Sequence, residues 1–229
     1  WSPDSIIKNI GEVGTKFYLS ISLQDEGINI FSESQLNRTS IIDSVNFVRG
    51  QVPEGSYYAE FWSREEKGPG DAYWIKSYIN GELQTDYQDI ITCIDAGASS
   101  EGAIIDGIPF IPPIRRAVTK FNSDDDGNFL SPFVKGDSLY VEIHSVTYEA
   151  FDFLNKTAIQ INRPGGFSEL FAVSLSNVPT NLVVTNISDN SINSNYPIVG
   201  FFNVSSVHGM GNTLDDEEIE KIELYNREW

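Results

Sequence analysis

The sequence predicts a mainly β fold, an antiparallel β-sandwich with one packed helix, and three observations carry that prediction. Several segments alternate apolar and polar residues with a period of two, and Gly, Pro, Asn and Asp punctuate them at short intervals. One stretch, at about residues 147–162, changes to a helical period. With 229 residues, 40% of them apolar and including 14 Phe, 10 Tyr and 4 Trp, the chain has enough aromatic area to offset its conformational entropy without disulfide staples. That length suits one large β domain or two small ones.

Residues 15–23 place Phe17, Leu19, Ile21 and Leu23 on one face, the Asp25-Glu-Gly27 turn follows, and residues 27–31 return as the second half of a hairpin. Residues 41–45 begin another extended run. The aromatic segments 56–62 and 71–80 favour strands and are separated by the charged loop Arg64-Glu-Glu-Lys-Gly-Pro-Gly70, so they read as a pair. Asn80-Gly81 suits a type I′ turn, whose two central residues need positive φ, and a return through Leu83 and Tyr87 is expected. Residues 96–131 form a long irregular excursion, the kind of segment where function tends to sit. Residues 137–145 alternate again, with Leu139, Val141 and Ile143 inward. The helix brings Phe151, Leu154, Ala158 and Ile159 together, with Ile161 a late member, and Arg163-Pro-Gly-Gly166 stops it. Further short strands are expected at 171–175, 182–184 and 198–207. The carboxylate-rich stretch 214–220 reads as a solvated terminal helix or a frayed end.

Fifteen basic against 33 acidic residues give a net charge of −18, which repels a phosphate backbone and excludes nucleic acid as a partner class. The single Cys93, flanked by Ile91, Thr92 and Ile94, reads as a buried strand thiol. No stretch approaches the roughly 20 apolar residues of a membrane helix. The chain opens at Trp1 with neither an initiator Met nor a signal-like apolar region, so we expect targeting information to have been trimmed from it.

Nucleophilic catalysis lacks its parts: His144 shares a solvent-facing strand face with Tyr140 and Glu142, His208 lies in a flexible Gly-Met-Gly stretch, and there is no Gly-x-Ser-x-Gly elbow. The chain is therefore expected not to be an enzyme. Asp124, Asp126 and Asn128 offer oxygens at alternate positions, as a calcium loop begins. Gly127 is misplaced for that loop, however, and Lys135 occupies the closing acid's slot, which favours an Asp/Gly turn and no cofactor, with Ca2+ the alternative. Carboxylates of the same loop would serve the remaining reading, a hydrolase, but no spacing singles out a pair. In the aromatic segments Tyr57, Phe61, Tyr73, Ile75 and Ile79 read as core, which leaves Trp62, Trp74 and Tyr78 on the more polar face. These three are the ligand-contact candidates, because flat rings beside Glu and Lys suit a sugar or a protein hot spot; the alternative is that they pack beneath a second sheet or loop.

The segment Asn177-Val-Pro-Thr-Asn-Leu182, followed by Pro197-Ile-Val-Gly-Phe-Phe-Asn-Val-Ser-Ser-Val207, resembles the close of the DUF4249 lipoproteins of Bacteroidetes. Residues 41–45, 73–81 and 135–145 followed by the helix fall in the same order, so the similarity spans roughly residues 13–209. The resemblance implies an immunoglobulin-like β region, of which residues 1–48 are a remnant, and a larger β domain with one helix and an acidic tail at 49–229. It further implies a signal peptide and a lipidated Cys, and a location at the outer membrane beside a TonB-dependent transporter, with contact to the membrane only through that anchor. The tripeptides Asp4-Ser-Ile6, Asp43-Ser-Val45 and Asp137-Ser-Leu139 look like the O-glycosylation acceptors of that phylum. The functional expectation is a non-enzymatic envelope lipoprotein that binds a glycan or peptide or assists an uptake system; the alternative is a structural module contacting another envelope protein.

Overall fold

The structure, a computed structural model, describes residues 10–97, 106–162 and 178–227. It is mainly β with antiparallel sheets, and the chain divides into two compact units, each discontinuous in sequence: residues 1–38 with 145–206, and residues 39–144 with 207–229. The boundary expected after residue 48 falls within strand β3 (Ile41–Arg49), which belongs to the second unit.

In the first unit, strands β1 (Lys16–Leu23) and β2 (Ile28–Gln35) form the expected hairpin, and β9 (Val183–Asn186) pairs the far side of β2. The return strand runs four residues beyond Phe31, so its alternation buries Ile28, Ile30, Ser32 and Ser34 and turns Asn29, Phe31, Glu33 and Gln35 outward. Ile28, Ile30 and Val184 form the small core, with Leu182, Tyr196 and Ile198 packed against it. Helix α2 (Tyr148–Ile161) starts where the Thr147 side chain accepts a hydrogen bond from the Ala150 amide. It buries Ala150 and Phe151, but Ile159 and Ile161 are exposed: the buried stripe is confined to the first turns, and the helix's last turn carries apolar residues to solvent. The expected stop at 163–166 and the strand at 171–175 lie outside the described residues.

In the second unit β3 pairs β4 (Tyr57–Arg64), while β5 (Ala72–Ile79) pairs β6 (Glu82–Leu83) and β7 (Ile91–Ile94) and neighbours β8 (Ser138–Val146), which in turn pairs β10 (Val207–Thr213). The segments expected to pair with each other, β4 and β5, therefore lie in different sheets. The physical reason is that β4's second edge is taken by the excursion: Phe110 donates its amide to the Ser63 carbonyl, Glu65 donates to Ile108, and the Thr119 hydroxyl bonds both the amide and the carbonyl of Ala59. That excursion carries a short helix α1 (Pro112–Arg115) and contributes Phe110 and Val118, with Phe133 just beyond it, to a core shared with Phe61, Tyr73, Ile75, Leu139, Val141 and Ile143.

Asn80 and Gly81 have φ of 53° and 82°, as the turn requires, but the return strand ends at Leu83 and Tyr87 begins a 3-10 turn (Tyr87–Asp89). The strand expected at 198–207 starts only at Val207, because the preceding amides bond side chains instead of a ladder: Phe202 donates to Asn181, Val204 to Ser34 and Ser206 to Ser145. The acidic tail is a docked helix, α3 (Asp216–Arg227), which buries Ile222 in the second unit's core; Asp216, Glu217 and Glu218 occupy its first turn, where the helix dipole favours negative charge.

Candidate functional site

Trp62, Trp74 and Tyr78 do not share one face, because β4 and β5 belong to different sheets. The guanidinium carbon of Arg115 sits 3.5 Å from the Trp62 ring centroid, and the Trp62 indole donates to Glu60 at 2.9 Å. On the other sheet the Lys76 ammonium lies 4.0 Å from the Trp74 ring centroid, and the Tyr78 hydroxyl donates to Glu142 at 3.1 Å. His144 is not solvent-facing: its Nε2 is 2.9 Å from Glu142, its ring packs near Trp74, and burial holds its pKa below the ordinary value despite the carboxylate. Burial likewise lowers Lys76 against the pull of Glu142. His208 is no flexible residue either; it lies in β10, where its Nδ1 accepts the Ile42 amide. At the neighbouring Gly209 a Cβ would come 2.1 Å from the Tyr140 hydroxyl oxygen, so a larger residue there displaces the exposed Tyr140 ring.

Asp124 spends its carboxylate on its own loop, accepting the amides of Asp126 and Asn128 through one oxygen and the Asn128 side chain through the other, and these bonds lower its pKa. The segment is thus an Asx turn with Gly127 at φ 83°. Among the described residues no group of three His, Cys, Asp or Glu is placed to hold a metal ion. The second unit also encloses a carboxylic acid: Glu65, 2% exposed, accepts the Gly107 amide at 3.2 Å and faces the Tyr73 hydroxyl at 3.5 Å. Burial, reinforced by the charges of Asp95, Asp71 and Asp106, pushes its pKa up to about 7 against the lowering effect of the Gly107 bond. Burial also pushes the Cys93 thiol up, which makes it an unreactive core residue, as its strand neighbours suggest.

Open, side-chain-lined space lies in the first unit. Antiparallel register sets Tyr18 opposite Glu33, Ser20 opposite Phe31 and Phe31 opposite Val183, so these residues share the outward face of the three-stranded sheet. Tyr18 is 71% exposed and Phe31 42%, and with Val183 they line a cavity of about 520 Å³. A second cavity of about 470 Å³ lies beside the start of α2, with Tyr148 and Phe201 as aromatic wall and Lys16, Gln35 and Glu149 as polar lining. Glu33 and Asn181 border both. These volumes fall within the range of roughly 300–1,000 Å³ typical of small-molecule sites.

Asn181 makes that border rigid. Its carboxamide nitrogen donates to the carbonyls of Glu33 and Phe202, its oxygen accepts the Phe202 amide at 2.9 Å, and its own carbonyl accepts the Ser32 hydroxyl. Phe201 is held by the adjoining backbone and packs on Phe153 of α2 with ring centroids 5.4 Å apart. Glu33 pairs with Lys16 at 3.2 Å in an exposed ion pair, so the waist between the cavities carries one cation and one carboxylate, with Glu149 nearby in α2's first turn. The arrangement offers hydrogen-bond donors, acceptors and ring faces. None of these residues was a ligand-contact candidate from sequence, although the signal exists: Tyr18 and Phe31 are aromatic residues in phase with the polar positions of their strands. No family model, no curated protein and no solved structure matches the chain.

Proposed function

We propose that this chain is a recognition module, a binding or accessory lipoprotein of an outer-membrane uptake system, whose ligand site is the pair of cavities meeting at Glu33 and Asn181. The observation that carries the reading is the exposure of Tyr18, Phe31 and Val183 on a sheet face whose other outward positions are polar, continuous through Glu33 with the Tyr148 and Phe201 wall. Support for recognition over bond-breaking comes from where the reactive groups are engaged: His208 bonds a backbone amide, His144 bonds Glu142, and Cys93 is buried. The envelope setting, the lipid anchor, the TonB-dependent transporter as partner and the immunoglobulin-like sandwich architecture rest on the DUF4249 resemblance. One feature favours that resemblance: Asn181, in its first closing motif, clasps both backbone groups of Phe202, in its second, so the two motifs act as one structural element.

The test is an equilibrium binding screen of glycans and peptides against the wild type and the Phe201→Ala and Tyr148→Ala variants. A bound ligand whose affinity falls about tenfold or more in both variants, with folding retained by circular dichroism, is the expected outcome. Co-purification with a transporter and no ligand affected by either variant would instead favour the structural-module alternative.

A further inference from the structure

We infer that the occupant of the paired cavities is a neutral oligosaccharide, bound across the waist at Glu33 with one sugar face against Tyr18 and Phe31 and another against Tyr148 and Phe201. The inference rests on the reading of these cavities as a ligand site and names the class of that ligand. Three observations select it.

The first is charge. Lys16 is already paired with Glu33, Glu149 adds a second carboxylate at the rim, and the chain carries −18 overall, so phosphorylated, sulfated or uronate-rich ligands are repelled. The second is the backbone. A peptide bound to a sheet gains affinity by adding a strand to an open edge, but on β2, the strand beneath both cavities, one edge pairs β1 throughout, and the other pairs β9 as far as Phe31 and then gives its Glu33 carbonyl to the Asn181 side chain. Recognition over β2 therefore runs through side chains. The third is the side chains themselves: exposed aromatic rings beside Glu33, Gln35, Glu149 and Lys16 combine apolar faces with acceptors and donors suited to vicinal hydroxyls. A ring cluster on each side of a polar waist fits at least two linked units better than one.

The experiment is calorimetric titration of the full chain, and of its Phe31→Ala, Tyr148→Ala and Glu33→Gln variants, with neutral gluco- and manno-oligosaccharides of increasing length, a sulfated oligosaccharide series and a Lys-rich peptide. We expect neutral oligomers to bind, with affinity rising about tenfold or more from monosaccharide to trisaccharide and little dependence on salt. Phe31→Ala and Tyr148→Ala should each weaken the longer oligomers by about tenfold, with Phe31→Ala leaving monosaccharide binding near Tyr148 intact. Preference for the sulfated series or the peptide, weakened by the same two variants, overturns the saccharide assignment while the ligand site stands. Absence of binding throughout, or binding unaffected by both variants, overturns the ligand site and the assignment with it.

Discussion

Glu65 is an acid enclosed among acids, and its environment makes stability depend on pH in an unusual direction. A carboxyl whose pKa rises from 4.5 unfolded to about 7 folded binds its proton more tightly in the native state. Between those two values Glu65 binds more proton in the folded chain than in the unfolded one, so the stability it contributes is fully present below about pH 4.5 and is lost as pH rises through about 7. The full shift corresponds to about 3.5 kcal/mol, since each pKa unit is about 1.4 kcal/mol. Glu65→Gln keeps an acceptor for the Gly107 amide and removes the charge, so we expect denaturant midpoints that no longer fall between pH 5 and 8. A variant that loses stability over that interval as the wild type does would refute the assignment. Asn181 matters for a different reason: Asn181→Ala leaves both Phe202 backbone groups without their side-chain partner, and we expect a loss of about 2 kcal/mol in urea unfolding. Neither role was legible from sequence, because each depends on residues more than twenty positions away. Phe31 was legible, since it falls in phase with Asn29 and Glu33 and out of phase with Ile28 and Ile30.

Among the elements, those specified by local chemistry match their sequence reading. The β1–β2 hairpin, β8 with its inward Leu139, Val141 and Ile143, and the Asn80-Gly81 turn follow from alternation or positive φ, and α2 begins where the helical period does. Thr147→Ala should remove the α2 cap and cost about 1 kcal/mol, measured as a lower urea midpoint; an unchanged midpoint would mean that packing of Phe151 alone holds the first turn. Elements whose identity depends on a distant partner depart from it. The aromatic segment β4 has the composition to pair with β5, but its free edge is capped by Phe110, Ile108 and Thr119. Thr119 bonds both backbone groups of Ala59, so Thr119→Val, of similar volume without the hydroxyl, should destabilise the chain by about 2 kcal/mol and speed amide exchange at Ala59. Residues 198–206 have strand composition, yet their amides find Asn181, Ser34 and Ser145 first.

For the molecule as a whole, a charge of −18 means that folding compresses like charges. Raising ionic strength from roughly 0.01 to 0.15 M shortens the screening length from about 30 to about 8 Å, and we expect Tm to rise with it; a fall would show that ion pairs such as Lys120–Asp89 outweigh the repulsion. Composition thus makes the overall electrostatics legible, and periodicity the predominance of strands. The candidate site was not legible as a unit, because it joins β1, β2, the start of α2 and residues 181–202, which only the closed chain brings together. That interleaving also governs synthesis. Residues 1–38 must wait for 145–206, and residues 39–144 must wait for 207–227, the stretch supplying β10 and α3. Each half can complete its hydrogen-bonded frame only when its own later stretch has been made, so the earlier stretch of each spends most of its synthesis without its final partners.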